Sequence, residues 1–109
     1  FTKNGDDIDV VFSHNDELTV GALPEIEAAG YTPGKDILLI SIDGGQDAID
    51  LLKQGKINCI VECTPKLGAV LMETAMKLKN GETVERVIHP EEQVFTDEQD
   101  LSRLAPRGY

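Results

Sequence analysis

The sequence predicts an α/β fold built on a doubly wound parallel sheet with helices on both faces. Three short apolar runs, rich in valine and isoleucine, occur at residues 8–13, 37–42 and 57–61. Each run is nearly continuous rather than alternating, which is typical of parallel strands covered on both faces. Helical patterns separate the runs, and such crossovers pack back onto the sheet that they connect.

Three helices are predicted, at residues 16–29, 46–54 and from Thr64 to about residue 80, and each stops at a glycine. The first places an apolar stripe on one side, formed by Leu18, Ala22, Ile26 and Ala29. Pro24 lies inside this helix and predicts a kink there. The third starts with Thr64 and Pro65, a side-chain cap followed by a proline that needs no hydrogen bond. A weaker strand is predicted at 84–88, followed by an acidic tail from Glu91.

Composition excludes several classes of partner. The chain has 109 residues, of which 40% are hydrophobic, and it carries twenty acidic against ten basic residues. Its net charge of −10 argues against nucleic acid and anionic membranes as partners. The longest aliphatic run is far shorter than the ~20 residues that span a bilayer, so direct membrane insertion is not expected. Residues 1–5, which start at Phe1, are similar to the frayed end of a helix, and we expect a fragment or a processed product.

Metal, disulfide and catalytic motifs are weak or absent in the sequence. Cys59 and Cys63, four apart in a strand, would lie about 13 Å from each other, which is too far for a disulfide. Apolar, buried thiols are the favoured interpretation of the pair. His14 and His89 have no partners at ligand spacing, and no nucleophile elbow or phosphate-binding loop occurs. The sequence therefore predicts binding without turnover, and neither a cofactor nor a metal.

The candidate binding residues follow the ends of the three strands. Ligands of parallel sheets bind beyond the carboxyl ends of the strands, where Asn15, Asp43 and Glu62 are expected. An amide both donates and accepts hydrogen bonds, whereas an ionised carboxylate only accepts them. This combination suits a polyhydroxylated ligand.

Each of these residues also has a purely structural interpretation. Asn15 or Asp16 is a good side-chain cap for the first helix. Asp43 could likewise cap the second helix across the Gly-Gly turn. Glu62 could be a surface carboxylate on an edge strand. The sequence alone leaves these alternatives open.

Several motifs resemble a known family. The segment 10–17, Val-Val-Phe-Ser-His-Asn-Asp-Glu, followed by Gly-Ala-Leu and Ala-Ala-Gly, is similar to type I periplasmic sugar-binding proteins of ABC transporters. Segments 61–65, 94–96 and 104–109 resemble the galactofuranose-binding branch. The resemblance implies that Asn15 and Asp43 hydrogen-bond a monosaccharide. On the third strand, ribose-binding relatives carry a glutamine two residues before the proline, where this chain has Cys63. The galactofuranose-like pattern instead carries a glutamate three residues before it, which matches Glu62 as a third ligand-binding residue.

The resemblance also implies partners and a location. A membrane permease would accept the sugar, and the protein would be periplasmic or extracellular, as a cell-surface lipoprotein in a Gram-positive organism. An effector-binding lobe of a LacI-type regulator is the alternative, although such proteins usually carry Phe-Asp-Asp where this chain has Ile42-Asp43-Gly44. A small flavodoxin-like enzyme is a third hypothesis, for which no catalytic constellation is visible.

The family's length implies an incomplete fold. These receptors run to roughly two or three times this length, in two lobes, and the chain is similar to their last third. Residues 1–64 would belong to the C-terminal sugar-binding lobe, residues 65–90 would complete the N-terminal lobe, and residues 91–109 would form a C-terminal tail. Without its sheet partners the chain is expected to rearrange, to self-associate or to expose apolar surface.

Overall fold

A computed structural model describes residue 1 and residues 3–109. Thr2, which belongs to the predicted helix end at 1–5, lies outside the described residues. A 3₁₀ turn at Gly5–Asp7 precedes the first strand. The main elements, in chain order, are β1 (Val10–Phe12), α1 (Asp16–Ala28), β2 (Leu38–Asp43), α2 (Gln46–Lys53), β3 (Cys59–Glu62), α3 (Gly68–Lys79) and β4 (Val94–Thr96).

The four strands form one mixed sheet in the order β1-β2-β3-β4. The first three strands are parallel, as predicted, with Phe12 opposite Ile40 and Asp43 opposite Glu62. Strand β4 runs antiparallel to β3 and places Phe95 opposite Ile60. The sequence predicted a surface tail here instead. The error arose because β4 has only three residues and lies among acidic side chains, so its strand signal is a single buried aromatic residue.

Helices cover one face of the sheet in the described chain. Because the order of the parallel strands follows the chain without reversal, right-handed crossovers place α1 and α2 on the same side. Their apolar residues pack with Leu39, Ile60 and Phe95 into one core. The opposite face exposes Val10, Phe12, Leu38, Val61 and Val94. The predicted second helical layer is therefore not found in residues 1 and 3–109, although the α/β class is confirmed.

Helix α1 continues through Pro24, but its buried face differs from the predicted stripe. Leu18 is mostly exposed, whereas Thr19 and Leu23 are buried. The difference has a polar cause, because Asp16 and Thr19 both make buried hydrogen bonds to β2. The pattern of apolar residues alone therefore predicts the wrong buried face for α1.

Helix α3 starts later than predicted and buries none of its residues. Thr64 does not cap it: the Thr64 hydroxyl accepts a hydrogen bond from the backbone N–H of Lys66, and α3 begins only at Gly68. Residues 84–88 do not form the predicted strand. The apolar residues of α3 are largely exposed, and Leu71 is 64% exposed. No described helix is both long and apolar enough to cross a membrane.

A close backbone approach fixes the loop before β2. Gly34 has a φ of +80°, and a Cβ at this position would lie only 2.1 Å from the carbonyl oxygen of Gly55. The Asn58 amide reinforces the approach, because its Nδ2 donates to the Gly34 carbonyl and its Oδ1 accepts from the Leu39 N–H, both at 2.9 Å. Only glycine satisfies both the backbone conformation and the contact.

We expect Gly34→Ala to be much more destabilising than Gly30→Ala. Gly30 also has a positive φ, of +90°, but its Cβ would meet no atom within 4 Å. Alanine at position 30 should therefore lower the free energy of unfolding by about 1–2 kcal/mol, the cost of the backbone conformation alone. Alanine at 34 should cost about 1–3 kcal/mol more because of overpacking. Urea unfolding of both variants tests this, and equal losses would contradict the close contact.

Candidate ligand-binding site

The structure brings the three predicted site residues to one edge of the sheet. Asn15 follows β1, Asp43 ends β2, and Glu62 ends β3. Because these strands are parallel, their carboxyl ends lie at the same edge, and Asp43 and Glu62 are direct partners in the strand register. The groups converge as the sequence predicts, but their surroundings differ sharply.

Asn15 caps helix α1 with its side-chain oxygen. Its Oδ1 accepts a hydrogen bond from the backbone N–H of Leu18 at 2.9 Å, so the capping alternative is correct. This bond also fixes the orientation of the amide, with the Nδ2 group turned away from the helix. No acceptor for Nδ2 occurs among the described residues, and the side chain is half-buried. Capping therefore occupies one end of the amide and leaves two donors for a ligand.

Asp16 is a key residue that the sequence analysis treated only as a cap. Its buried carboxylate accepts three hydrogen bonds across the site. The Ser41 hydroxyl donates to Oδ1 at 2.5 Å, while the N–H groups of Gly44 and Gly45 donate to Oδ2 at 2.9 and 2.7 Å. Asp16 thus connects the start of α1 to the turn between β2 and α2.

A buried hydroxyl pair supports this carboxylate. Thr19 and Ser41 are essentially inaccessible to solvent, and Thr19 donates to the Ser41 hydroxyl at 2.8 Å. Buried polar groups require partners. A serine in the middle of an apolar strand was therefore the sequence signal that pointed to a polar network, although not to its members.

Asp43 adopts a backbone conformation that non-glycine residues rarely accept. Its φ is +114°, and no other described non-glycine residue has a positive φ. Such strain persists only where surrounding contacts impose it, and it is concentrated at functional sites. The cap of α2 is Gly45, without a side-chain hydrogen bond, so the proposed capping role of Asp43 is wrong.

Burial raises the pKa of the Asp43 carboxyl, and the nearby charge of Asp16 raises it further. Both effects disfavour the ionised carboxylate. A hydroxyl donor placed against it would compensate for the lost solvation. The environment of Asp43 therefore favours binding of a hydrogen-bond donor.

Glu62 is buried and occupied by protein groups. Its side chain is 7% exposed and forms an ion pair with Arg107. The Tyr109 hydroxyl donates to Oε1 at 2.9 Å, and the Gln93 N–H donates to Oε2 at 3.0 Å. A surface role is thus excluded. Arg107 was not predicted as the partner of Glu62, although a buried carboxylate in a strand requires a cation or hydrogen-bond donors.

An open groove of about 970 Å³ lies at this edge of the sheet. It is bounded by the first turns of α1 and α2 and by the C-terminal segment, and its lining includes Asp16, Asp43, Gln46, Cys63 and Tyr109. Its size is comparable with small-molecule sites. Of the three predicted site residues, only Asp43 lines the groove; Asn15 and Glu62 do not.

The two cysteines are free thiols. Cys63 is exposed, which corrects the expectation that both are buried, whereas Cys59 is half-buried. Burial raises the pKa of the Cys59 thiol, with a further contribution from Asp97. No group of three or more potential metal ligands is assembled within residues 1 and 3–109.

Residues 1–83 match the family model of the periplasmic binding protein domain. The chain belongs to this family. It is 39% identical over 82 residues to the galactofuranose-binding protein YtfQ of Escherichia coli K12, which covers 75% of this chain and 26% of that protein. It is 40% identical over 83 residues to the ribose import binding protein RbsB of Bacillus subtilis 168, with coverages of 75% and 26%.

A solved structure from another organism has the same fold. The crystal structure from Mycobacterium smegmatis in complex with β-D-fucofuranose superposes with a TM-score of 0.80 at 45% identity, over 95% of this chain and 34% of that chain. The chain thus spans about a quarter of the length of the curated relatives. These family members are binding proteins rather than enzymes.

Replacement of Asp16 by asparagine should destabilise the fold. An asparagine side chain has one acceptor oxygen and places an N–H₂ group opposite the donors of Ser41 or the Gly-Gly turn. We expect a loss of about 1–3 kcal/mol in the free energy of unfolding, measured by urea denaturation. Asp47→Asn is the matched control, an exposed aspartate in the first turn of α2, with an expected loss below about 1 kcal/mol. Equal effects would contradict the role of the hydrogen bonds.

The raised pKa of Asp43 predicts a pH-dependent stability. The folded chain holds this proton more tightly than the unfolded chain, whose aspartate titrates near 3.8. The contribution of Asp43 to stability is therefore greatest below that pH and is lost as pH rises through the raised pKa. Asp43→Asn should raise the free energy of unfolding relative to wild type at neutral pH, and this gain should shrink towards pH 3.8. Urea titrations across that range measure it, and a gain independent of pH would contradict the raised pKa.

Proposed function

We propose that this chain is the C-terminal part of the solute receptor of an ABC transporter, and that the receptor binds a monosaccharide between two lobes. One observation carries the proposal: the Asn15 amide and the strained Asp43 carboxyl lie at the same edge of two adjacent parallel strands. Membership of the periplasmic binding protein family supports it.

The polar groups suit a sugar because they are complementary. Asn15 offers two N–H donors, since its oxygen is used by the helix cap. The Asp43 carboxylate accepts hydrogen bonds and is partly desolvated by burial. One sugar hydroxyl can donate to Asp43 while a neighbouring hydroxyl oxygen accepts from Asn15. Sugars in the furanose form are the proposed class, because one similar protein is named for galactofuranose and another has a crystal structure in complex with β-D-fucofuranose.

Glu62 was predicted to bind the ligand directly. Because Arg107, Tyr109 and Gln93 already donate to its two oxygens, we assign direct contact to Asn15 and Asp43. Glu62 then supports the site through Arg107.

The domain assignment remains part of this proposal. Residues 1–64 would lie in the C-terminal lobe, together with β4, which pairs with β3. Residues 65–90 would cross to the N-terminal lobe, and the exposed apolar residues of α3 are consistent with a partner there. Closure of the lobes around the sugar would mark the receptor as loaded for its permease. The receptor would act in the periplasm or on the cell surface, where a lipid anchor would retain it.

The LacI-type alternative is less well supported. The curated relatives described above are named as a galactofuranose-binding protein and a ribose import binding protein. A net charge of −10 is also unfavourable for a DNA-bound parent protein.

Calorimetry on the full-length receptor tests the proposal. D-galactose, D-fucose and D-ribose serve as probes, because their solutions contain furanose forms. Asp43→Ala and Asn15→Ser should each weaken binding by roughly tenfold or more, since each removes hydrogen bonds to the sugar. Serine at position 15 retains the helix cap, so loss of binding would not reflect loss of the helix. Exposed Glu98→Gln is the control, and unchanged affinity in Asp43→Ala would contradict the proposed site.

A further inference from the structure

The turn between β2 and α2, residues 43–46, is held from two sides. On one side the Asp16 carboxylate accepts the N–H groups of Gly44 and Gly45. On the other side Arg107 donates from Nε to the carbonyl oxygen of Gly44 at 3.1 Å. The N–H and the carbonyl oxygen of Gly44 are therefore both hydrogen-bonded by side chains distant in sequence.

The backbone of residues 107–109 extends this contact to the start of α2. The N–H of Arg107 donates to the Gln46 side-chain oxygen at 2.9 Å, and the N–H of Gln46 donates to the carbonyl oxygen of Tyr109 at 2.8 Å. The first N–H groups of a helix have no partner within the helix. The C-terminal segment supplies one here.

Arg107 is itself fixed in place. Its guanidinium forms the ion pair with Glu62, and the two side chains are 12% and 7% exposed. The guanidinium carbon lies 5.1 Å from the centre of the Phe95 ring and 5.2 Å from that of Tyr109. An arginine that is paired with a buried carboxylate and lies close to two aromatic rings has little freedom to change its geometry.

We propose that Arg107 is a positioning residue of the sugar site: anchored by Glu62, it fixes the β2–α2 turn and thereby the conformation of Asp43. A turn with two glycines has little stiffness of its own. The strained φ of Asp43 can persist only if neighbouring contacts impose it. Arg107 does not contact the ligand in this scheme. The proposal rests on the proposed function and adds a residue that determines how accurately the Asp43 carboxylate is placed.

Arg107→Lys in the full-length receptor separates positioning from simple stability. Lysine keeps the charge that pairs with Glu62, but its single ammonium group cannot also reproduce the Nε contact with Gly44. We expect the dissociation constant for the probe sugars to rise roughly tenfold, while the melting temperature falls by only a few degrees. Arg103→Lys is the matched control, because Arg103 is exposed. Wild-type affinity in Arg107→Lys would overturn the proposal.

A second measurement needs no sugar. Hydrogen exchange of the Gly44, Gly45 and Gln46 amides should accelerate roughly tenfold in Arg107→Lys and stay unchanged in Arg103→Lys, because the turn opens more often. Weaker binding with unchanged exchange would indicate direct contact with the sugar and would overturn the positioning role. If the wild-type receptor bound no probe sugar, the proposed function and the role of Arg107 in binding would both fail. Exchange data would then still decide whether Arg107 fixes the turn.

Discussion

The described structure depends on one buried carboxylate. Asp16 receives hydrogen bonds from β2 and from the turn that follows it, while it forms the first residue of α1. A charge at this depth is tolerable only when hydrogen-bond donors replace the lost hydration, and Ser41 and the two glycine N–H groups provide three of them. The same contacts place the first turns of α1 and α2 side by side. The geometry of the groove therefore follows from the solvation of a single side chain.

The sequence predicted the local structure well where one short window contains the signal. Strands β1 to β3 and helices α1 and α2 appear close to their predicted positions, because continuous apolar runs and helical stripes are local patterns. Strand β4 and the start of α3 were missed. Phe95 is recognisable as a core residue only once β3 is present beside it, and no residue of α3 is buried in the core that would fix where the helix starts.

The candidate site was predicted in part for the same reason. Asn15, Asp43 and Glu62 follow strand ends, so their common location can be inferred from topology alone. The pairing of Glu62 with Arg107 joins residues 45 positions apart, and no spacing rule predicts such a contact. The positive φ of Asp43 is likewise invisible in the sequence, although the following glycines indicate an unusual turn.

The double duty of Asn15 limits how the pocket can diversify. The Asn15 oxygen caps helix α1, and its Nδ2 group is the one proposed to donate to the sugar, so a change of sugar chemistry at this position must also preserve the helix start. Few side chains can cap a helix: aspartate, serine and threonine are the other main options, and none carries an N–H₂ group. Variation in ligand preference among proteins with this arrangement should therefore arise at the neighbouring strand ends, because only a few residue types are compatible with position 15.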